Sequence, residues 1–352
     1  MTIEAVAPGK MILVGEYAVL HGAPALVCAV NREARVTLET NGETGILVHA
    51  PDVGLDNSAM ELRGGIAQTT DGQELPNSLK VVSAVAEHFA TQLEPRLLES
   101  GLRISIDTSG FVQEQNGFKL GLGSSAAVTV ALTRAMQAYV NSKDEETQAL
   151  PLFQRAHKIH QKMQGGIGSG LDIAASVFGG LVAFDEVEPG NSVVPRKLER
   201  LHWPAMAPVF VGNSASTTDL VSKVNTYRKG APEHFASLIG EMATVSKSVI
   251  AASQCDDLAG VRTGCSSYCG LMDRLGQVSG ADIISEAHRR VRDLSIGNGF
   301  AYKPSGAGGG DLGLIFSKQQ STLNDLRPEL EKLGASWTEL GISSSGVRLE
   351  TP

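Results

Sequence analysis

An α+β fold in two lobes is what this sequence predicts, and three observations lead to it. Strand-like apolar runs and amphipathic helical stretches follow one another in mixed order, without strict alternation. The chain has 352 residues and 42% hydrophobic side chains, enough for two substantial cores. Pro189-Gly190-Asn191-Ser192 reads as a turn rather than a long linker, so the expected division is an N-terminal lobe, residues 1–200, followed directly by a C-terminal one, residues 201–352.

The elements follow from local patterns. Strand character covers Ala5–Val14, Ala25–Val30 and Arg35–Glu39, and a polar, glycine-containing stretch then runs from Pro51 to Asn77. Helical spacing covers Ser78–Gln92, and Leu102–Ile106 alternates as a strand does. After a glycine-rich turn and its helix come a helix at Leu150–Met163, a short one at Ile173–Phe178 and a strand at Gly180–Phe184. The second lobe is expected to run strand Pro208–Gly212, helices Pro232–Ser253, Tyr268–Leu275 and Asp282–Leu294, strand Leu312–Phe316, helix Thr322–Leu333 and strand Gly346–Glu350. No internal repeat or low-complexity tract is present.

Composition excludes several functions. A formal charge of −8 argues against nucleic acid and anionic membrane as partners, and any cations that bind anionic substrates must be concentrated locally. No transmembrane run stands out, and Met1-Thr2-Ile3-Glu4 opens neither a basic region nor a long apolar segment. Cys28, Cys255, Cys265 and Cys269 lack zinc spacing, so a reduced, cytoplasmic protein is expected; Cys265-x-x-x-Cys269 on one helix is only a faint redox signal.

Chemistry concentrates in Phe118-Lys119-Leu120-Gly121-Leu122-Gly123-Ser124-Ser125-Ala126-Ala127. Val128, Ala131, Leu132, Ala135 and Tyr139 follow at helical spacing, so the serines fall where a helix begins and its first N–H groups are free. Those groups and the helix dipole make an anion site. The segment also fits a loose G-x-G-x-x-A dinucleotide fingerprint, or a flexible turn with a helix cap. The fingerprint requires a strand immediately before it, whereas Leu102–Ile106 ends more than ten residues earlier. No G-x-x-x-x-G-K-[ST] loop occurs.

Two further segments accompany it. Ala7-Pro8-Gly9-Lys10 precedes an apolar run that ends in Gly15-Glu16-Tyr17, and Lys303-Pro304-Ser305-Gly306-Ala307-Gly308-Gly309-Gly310-Asp311 leads into Leu312–Phe316. With these three motifs in order from about Ala5 to Phe316, the chain resembles the GHMP kinases, a family named for galactokinase, homoserine kinase, mevalonate kinase and phosphomevalonate kinase. The resemblance implies an N-terminal domain like domain 2 of ribosomal protein S5, a ferredoxin-like C-terminal domain, and ATP with Mg²⁺ as cofactors. It also implies a small-molecule acceptor and a monomer or homodimer. The form Lys-Pro-Ser-Gly-Ala-Gly-Gly-Gly-Asp, the run Gln164-Gly165-Gly166-Ile167-Gly168-Ser169-Gly170-Leu171-Asp172 and the loop Gly212-Asn213-Ser214-Ala215-Ser216-Thr217 are similar to the branch that acts on 5-phosphomevalonate. Mevalonate as acceptor, the related decarboxylase, and a catalytically silent ligand-sensing member remain alternatives.

Phosphoryl transfer depends on positioning and charge neutralisation more than on covalent catalysis. The resemblance assigns Lys10 as the cation near the transferring group and Asp172 as the residue beside the acceptor; Asp172 also has a structural reading, the N-cap of a helix starting at Ile173. Lys119, Gly121, Leu122, Gly123, Ser124, Ser125 and Ala126 become the ATP loop, with the Ser125 hydroxyl toward Mg²⁺. Ser169, Ser214, Ser216, Ser305, Gly306, Ala307 and Gly308 become the acceptor side. The sequence departs from mevalonate kinases at Gln161, where those enzymes carry a metal-binding glutamate. His157 and His160 are expected to be ordinary helix-face residues, since i, i+3 spacing brings no third ligand, and Lys223 and Arg228 to face solvent.

Overall fold

The computed structural model describes residues 1–112, 117, 119–140, 148–166, 168–184, 194–199, 203–212 and 216–350. The first lobe opens on two long strands, β1 (Thr2–Val14) and β2 (Ala25–Glu39). There follow β3 (Ile46–Ala50), β4 (Leu55–Arg63), β5 (Ile66–Gln68), α1 (Lys80–His88), α2 (Ala90–Ser100) and β6 (Leu102–Asp107). Then come α3 (Ser124–Val140), α4 (Ala149–Met163), α5 (Leu171–Phe178), β7 (Leu181–Phe184) and β8 (Pro195–Lys197). The second lobe contains β9 (Ala205–Phe210), α6 (Thr217–Gly230), α7 (Pro232–Gln254), α8 (Leu258–Ser279), α9 (Glu286–Gly297), β10 (Ala301–Ser305), β11 (Leu312–Ser317), α10 (Gln320–Asn324), α11 (Arg327–Lys332) and β12 (Ser336–Trp337). A last strand, β13 (Arg348–Glu350), returns to the first lobe.

Among the described residues there are two sheets. The first has nine strands along the path β13-β1-β2-β6-β3-β4-β5, with β7 and β8 joined on through β2. The second runs β10-β11-β9-β12, every neighbouring pair antiparallel. Helices α6 to α9 connect β9 to β10, and α10 with α11 connect β11 to β12, which is the split β-α-β arrangement of ferredoxin-like domains. The mixed α+β class is thus borne out. The expected boundary after residue 200 falls outside the described residues, and β13 pairs with β1, so residues 348–350 belong to the first sheet. One contiguous hydrophobic cluster runs through both lobes, from Ile3 to Ala335, where two cores were expected.

Several expected elements differ, each for a local reason. Ala25–Glu39 is one strand, not two: polar Asn31 and Arg32 form a bulge in it, opposite the step from Pro8 to Gly9 in β1. The polar stretch from Pro51 to Asn77 holds β4 and β5; Met60 and Leu62 of β4 alternate into the core, and a register shift between β3 and β4 precedes buried Leu55. Ser78–Gln92 is interrupted at Phe89. Arg327 and Pro328 start a new helix within the expected Thr322–Leu333, because proline is accommodated in a first turn. α8 begins earlier than expected, at a side-chain cap in which Asp257 accepts from the Gly260 N–H at 2.9 Å. α9 starts at Glu286 because Ser285 caps it. The turn at Pro189–Ser192 lies outside the described residues.

α7 is long and apolar enough, by length and composition, to cross a bilayer, with mean hydropathy 1.2. Its Phe235, Leu238, Met242 and Val249 belong to the buried cluster.

Candidate active site

The site begins with an irregularity between β1 and β2, where Pro8 pairs with Glu33 and Gly9 with Val30 and the extra residues Asn31 and Arg32 lie on β2. The β1–β2 register shifts between Pro8, which has no N–H to donate, and Gly9. A Cβ on Gly9 would stand 2.7 Å from both the Leu122 carbonyl oxygen and the Phe111 ring. Glycine lets the loop before α3 lie directly on the strand, and the Lys10 N–H donates to the Leu122 carbonyl at 2.8 Å. The Lys10 side chain passes behind Gly123, and its ammonium donates to the Gly121 carbonyl at 3.1 Å.

The loop turns through positive φ at Gly121 (68°) and Gly123 (77°), and α3 begins at Ser124 as expected. Ser125 is exposed and Ser124 half-buried, at the end of a helix whose first N–H groups have no intrahelical partner. The helix behind them is buried nearly all round, which fixes this end rigidly against β1 and β2.

Asp172 enters from α5. The helix starts one residue earlier than expected, at Leu171, and its N-cap is Gly170 in the left-handed region. The N-cap reading of Asp172 is therefore corrected: it lies in the first turn, where a carboxylate suits the helix dipole, and one oxygen accepts from the Ile173 N–H at 3.0 Å. Gly170 is required by packing as well as by φ, because a Cβ there would sit 2.7 Å from the His157 ring. Asp172 and Lys10 flank Gly123, whose hypothetical Cβ would be 3.6 Å from the Asp172 Cβ and 3.2 Å from the Lys10 Cγ. Burial lowers the Lys10 pKa, while Asp172, Glu16 and Asp311 favour its charged form.

The third glycine-rich segment forms the facing wall, carried by the second lobe. Gly308 comes so close to Ile283 that a Cβ would meet its carbonyl oxygen at 2.3 Å, and the Gly309 N–H donates to that same carbonyl at 2.7 Å. Buried His288 bridges the Tyr302 hydroxyl at 2.6 Å and the Gly310 carbonyl at 2.9 Å. The carbonyl requires Nε2–H as donor, leaving Nδ1 to accept from Tyr302. Burial lowers the His288 pKa to about 4. The unfolded chain protonates this side chain near 6.5 and the folded one does not, so stability is held above 6.5 and lost as pH falls toward 4, by up to about 3 kcal/mol. Thermal melts between pH 7 and pH 5 should show that decline for the wild type and a flatter slope for His288→Asn; equal slopes would assign the decline to other groups.

Two cavities open on either side of the Gly121–Ser125 loop. One, of about 290 Å³, is lined by Lys10, Asp172, Ser169, Ser305 and Asp311 among others. The other, of about 350 Å³, is more apolar, with Leu55, Val82, Phe111 and Val128 beside Asn77 and Thr108, and Lys119, Ser124 and Ser125 at the loop. The N-terminus of α3 stands between them, with Gly121 facing the first cavity and the two serines the second.

Most of the expected site residues meet here. Lys10, Gly121, Ser169, Asp172, Ser305, Gly306, Ala307 and Gly308 line the first cavity. Lys119, Ser124 and Ser125 line the second, and Leu122 and Ala126 are buried beneath the loop. The Ser305 hydroxyl is engaged with the Ile12 backbone, at 3.0 Å from its N–H and 3.1 Å from its carbonyl. Ser216 does not line either cavity; it caps α6, accepting from Asp219 N–H at 3.3 Å, and its neighbour Thr217 lines the first cavity instead. Ser214 lies outside the described residues. Gln161 closes α4 through its backbone, accepting from Gly166 N–H at 2.9 Å, while Gln164 reaches the cavity. His157 stacks on Phe153 and His160 is buried, as helix-face residues do. Lys223 and Arg228 are both exposed, as expected. Cys28 and Cys265 are buried, with thiols pushed up to about 12, which makes them poor nucleophiles.

Sequence reasoning missed Glu16, Asp311, Gln164 and Thr217. Asp311 closes the third motif, and its carboxylate would stand 3.4 Å from a Cβ on Gly121. Its φ of 58°, unusual for a residue other than glycine, is not legible in a sequence.

A glycine-rich loop opening a buried helix, a lysine laid behind it and a glycine-rich wall from a ferredoxin-like lobe make an arrangement suited to holding phosphate groups. The N-terminal domain family of the GHMP kinases matches residues 79–180. The phosphomevalonate kinase of Streptomyces sp. (strain CL190) is 31% identical over an alignment covering 95% of each chain. The mevalonate kinase of Thermococcus sibiricus is 27% identical over 99% of each. Among solved structures, Streptococcus pneumoniae phosphomevalonate kinase in complex with phosphomevalonate and AMPPNP shares the fold, with a TM-score of 0.74 at 18% identity over 97% of this chain and 99% of that one. The chain belongs to the GHMP kinase family, enzymes of ATP-dependent phosphoryl transfer.

Proposed function

We propose that the protein transfers the γ-phosphoryl group of ATP to the phosphate of 5-phosphomevalonate, giving the 5-diphosphate in the mevalonate route to isoprenoid precursors. The observation that carries a kinase reading is the placement of the phosphate loop between two cavities, one apolar and of nucleoside size, the other holding Lys10 and Asp172. A triphosphate laid along the α3 N-terminus from the first of these would present its terminal group to Lys10. The 31% identical Streptomyces relative and the Gly-Ser-Gly-Leu-Asp run ending at Asp172 support phosphomevalonate as acceptor.

In this reading the α3 N–H groups and the Gly121–Ser125 backbone hold the donor phosphates, and Lys10 shields the charge between donor and acceptor. A phosphomonoester has a second pKa of about 6 and is already largely dianionic at neutral pH, so Asp172 has to orient rather than deprotonate. Among the described residues no cluster of three or more His, Cys, Asp or Glu side chains is arranged to hold a metal ion. Mg²⁺ keeps several waters and arrives on nucleotide oxygens, and in this reading the Ser125 hydroxyl would contact it. When bound, Mg²⁺ neutralises charge on the transferring phosphates.

Mevalonate is the second reading. Among the described lining residues of the acceptor cavity Lys10 is the one cation, against the carboxylates of Asp172 and Asp311, which suits an acceptor with fewer charges. Asp172 would then accept the hydroxyl proton. Steady-state turnover of ATP with each acceptor decides. The expected result is a kcat/KM for phosphomevalonate at least tenfold above that for mevalonate; the reverse order assigns the second reading, and no turnover of either favours a ligand-sensing protein.

A further inference from the structure

Glu16 and Lys303 form a buried ion pair that the scheme above does not use. They come from different lobes, Glu16 just after β1 and Lys303 within β10, and are separated by 287 positions. Glu16 is 3% exposed and Lys303 is fully buried, with 2.5 Å between ammonium and carboxylate. Desolvating two charges is costly unless their geometry and remaining hydrogen bonds are good. Here those bonds converge on one place. The same Glu16 oxygen accepts from the Gly306 N–H at 3.3 Å, and Lys303 also donates to the carbonyls of Ile12 and Pro304. The Tyr268 hydroxyl holds the Glu16 carbonyl at 2.8 Å, and the Tyr17 hydroxyl donates to the Ala307 carbonyl at 2.5 Å. Tyr17 itself is held at a φ of 61°, a conformation that an aromatic residue keeps only when its surroundings impose it.

These contacts tie the segment Lys303–Ala307 to the strand that carries Lys10. The other side of that segment, Ser305 to Gly308, is the acceptor-cavity wall. Gly121 and the α3 N-terminus are fixed independently, by Gly9, Lys10 and Leu122. We propose that Glu16 is a positioning residue for phosphoryl transfer, which through Lys303 and Gly306 locks the acceptor wall of the second lobe in register with Lys10 on the first. The inference rests on reading this cavity as the acceptor site, and does not depend on which acceptor fills it.

The test uses whichever of mevalonate and phosphomevalonate the wild type turns over faster, so that failure of the functional reading shows in the wild type and failure of the inference only in the variants. Glu16→Gln leaves the Lys303 charge buried without its partner and should raise the acceptor KM tenfold or more, with KM for ATP within about twofold of wild type. Glu16→Gln/Lys303→Met removes both charges; its melting temperature should recover toward wild type while the acceptor KM stays raised. Wild-type acceptor kinetics in the double variant would make the pair a stability element alone and overturn the proposal. Should these variants not fold, Tyr268→Phe keeps the ring and removes the hydroxyl that holds the Glu16 carbonyl. It should raise the acceptor KM severalfold without changing that for ATP, and unchanged acceptor KM, or equal rises for both substrates, would overturn the proposal.

Discussion

Replacing Lys10 by methionine should lower kcat by about two orders of magnitude or more, the scale of losing one preorganised electrostatic group. Methionine keeps most of the stem that packs behind Gly123 and removes the ammonium that reaches the Gly121 carbonyl. A pH profile separates loss of charge from loss of packing. Burial makes the Lys10 ammonium easier to deprotonate than an ordinary lysine, against the opposing pull of Asp172, Glu16 and Asp311. In the wild type the alkaline limb of kcat/KM, which reports the free enzyme, should therefore fall below the usual lysine range. The limb of kcat should lie at higher pH, because bound phosphates stabilise the cation. Lys10→Met should lose both limbs together with its activity. Wild-type kcat in that variant would remove the central cation from the mechanism.

Gly123→Val should weaken nucleotide binding sharply in a protein that still folds. The residue sits at a φ of 77°, which costs a β-branched side chain of order 1–3 kcal/mol by itself. Its Cβ would also stand 3.3 Å from the Lys10 Cε, so the branched side chain has to displace the lysine or the loop. Either movement disturbs the N–H groups at the start of α3. Calorimetry should show ATP affinity reduced about tenfold or more, that is by at least about 1.4 kcal/mol. Gly121→Ala is the graded comparison: φ is again positive, but the new methyl would meet only the Asp311 carboxylate, at 3.4 Å. Undiminished binding by Gly123→Val would place the phosphates elsewhere.

How much of this was legible depended on the distance between partners. The phosphate loop was readable because Gly121, Gly123 and two serines precede a helical apolar pattern within one local stretch. Lys10 was readable from Pro8 and Gly9, although the bulge that needs them is visible only in the β1–β2 register. α6 escaped notice because it buries little beyond Leu220 and Val224, so its sequence carries almost no periodicity. β10 is hidden by Pro304, which ordinarily argues against a strand. Glu16 and Lys303 stand in two of the glycine-rich motifs, but nothing local announces a partner 287 positions away. Ser216 was placed in the right loop, but its hydroxyl went to the helix cap, a role serine performs more often than ligand binding.

β13 gives the order of synthesis a bearing on folding. Glu4 to Val6 pair with residues 350 to 348, and Arg348 grips Glu33 through two hydrogen bonds across 315 positions. Until residues 348–350 have been made, the edge of β1 at Glu4–Val6 has its backbone groups unmatched and available to another chain. The first lobe to emerge is therefore among the last to be sealed, and closure over so long a loop is slow. Chains that stall or are clipped before Arg348 should be recovered chiefly as aggregates, even though every residue of the phosphate loop has already been made.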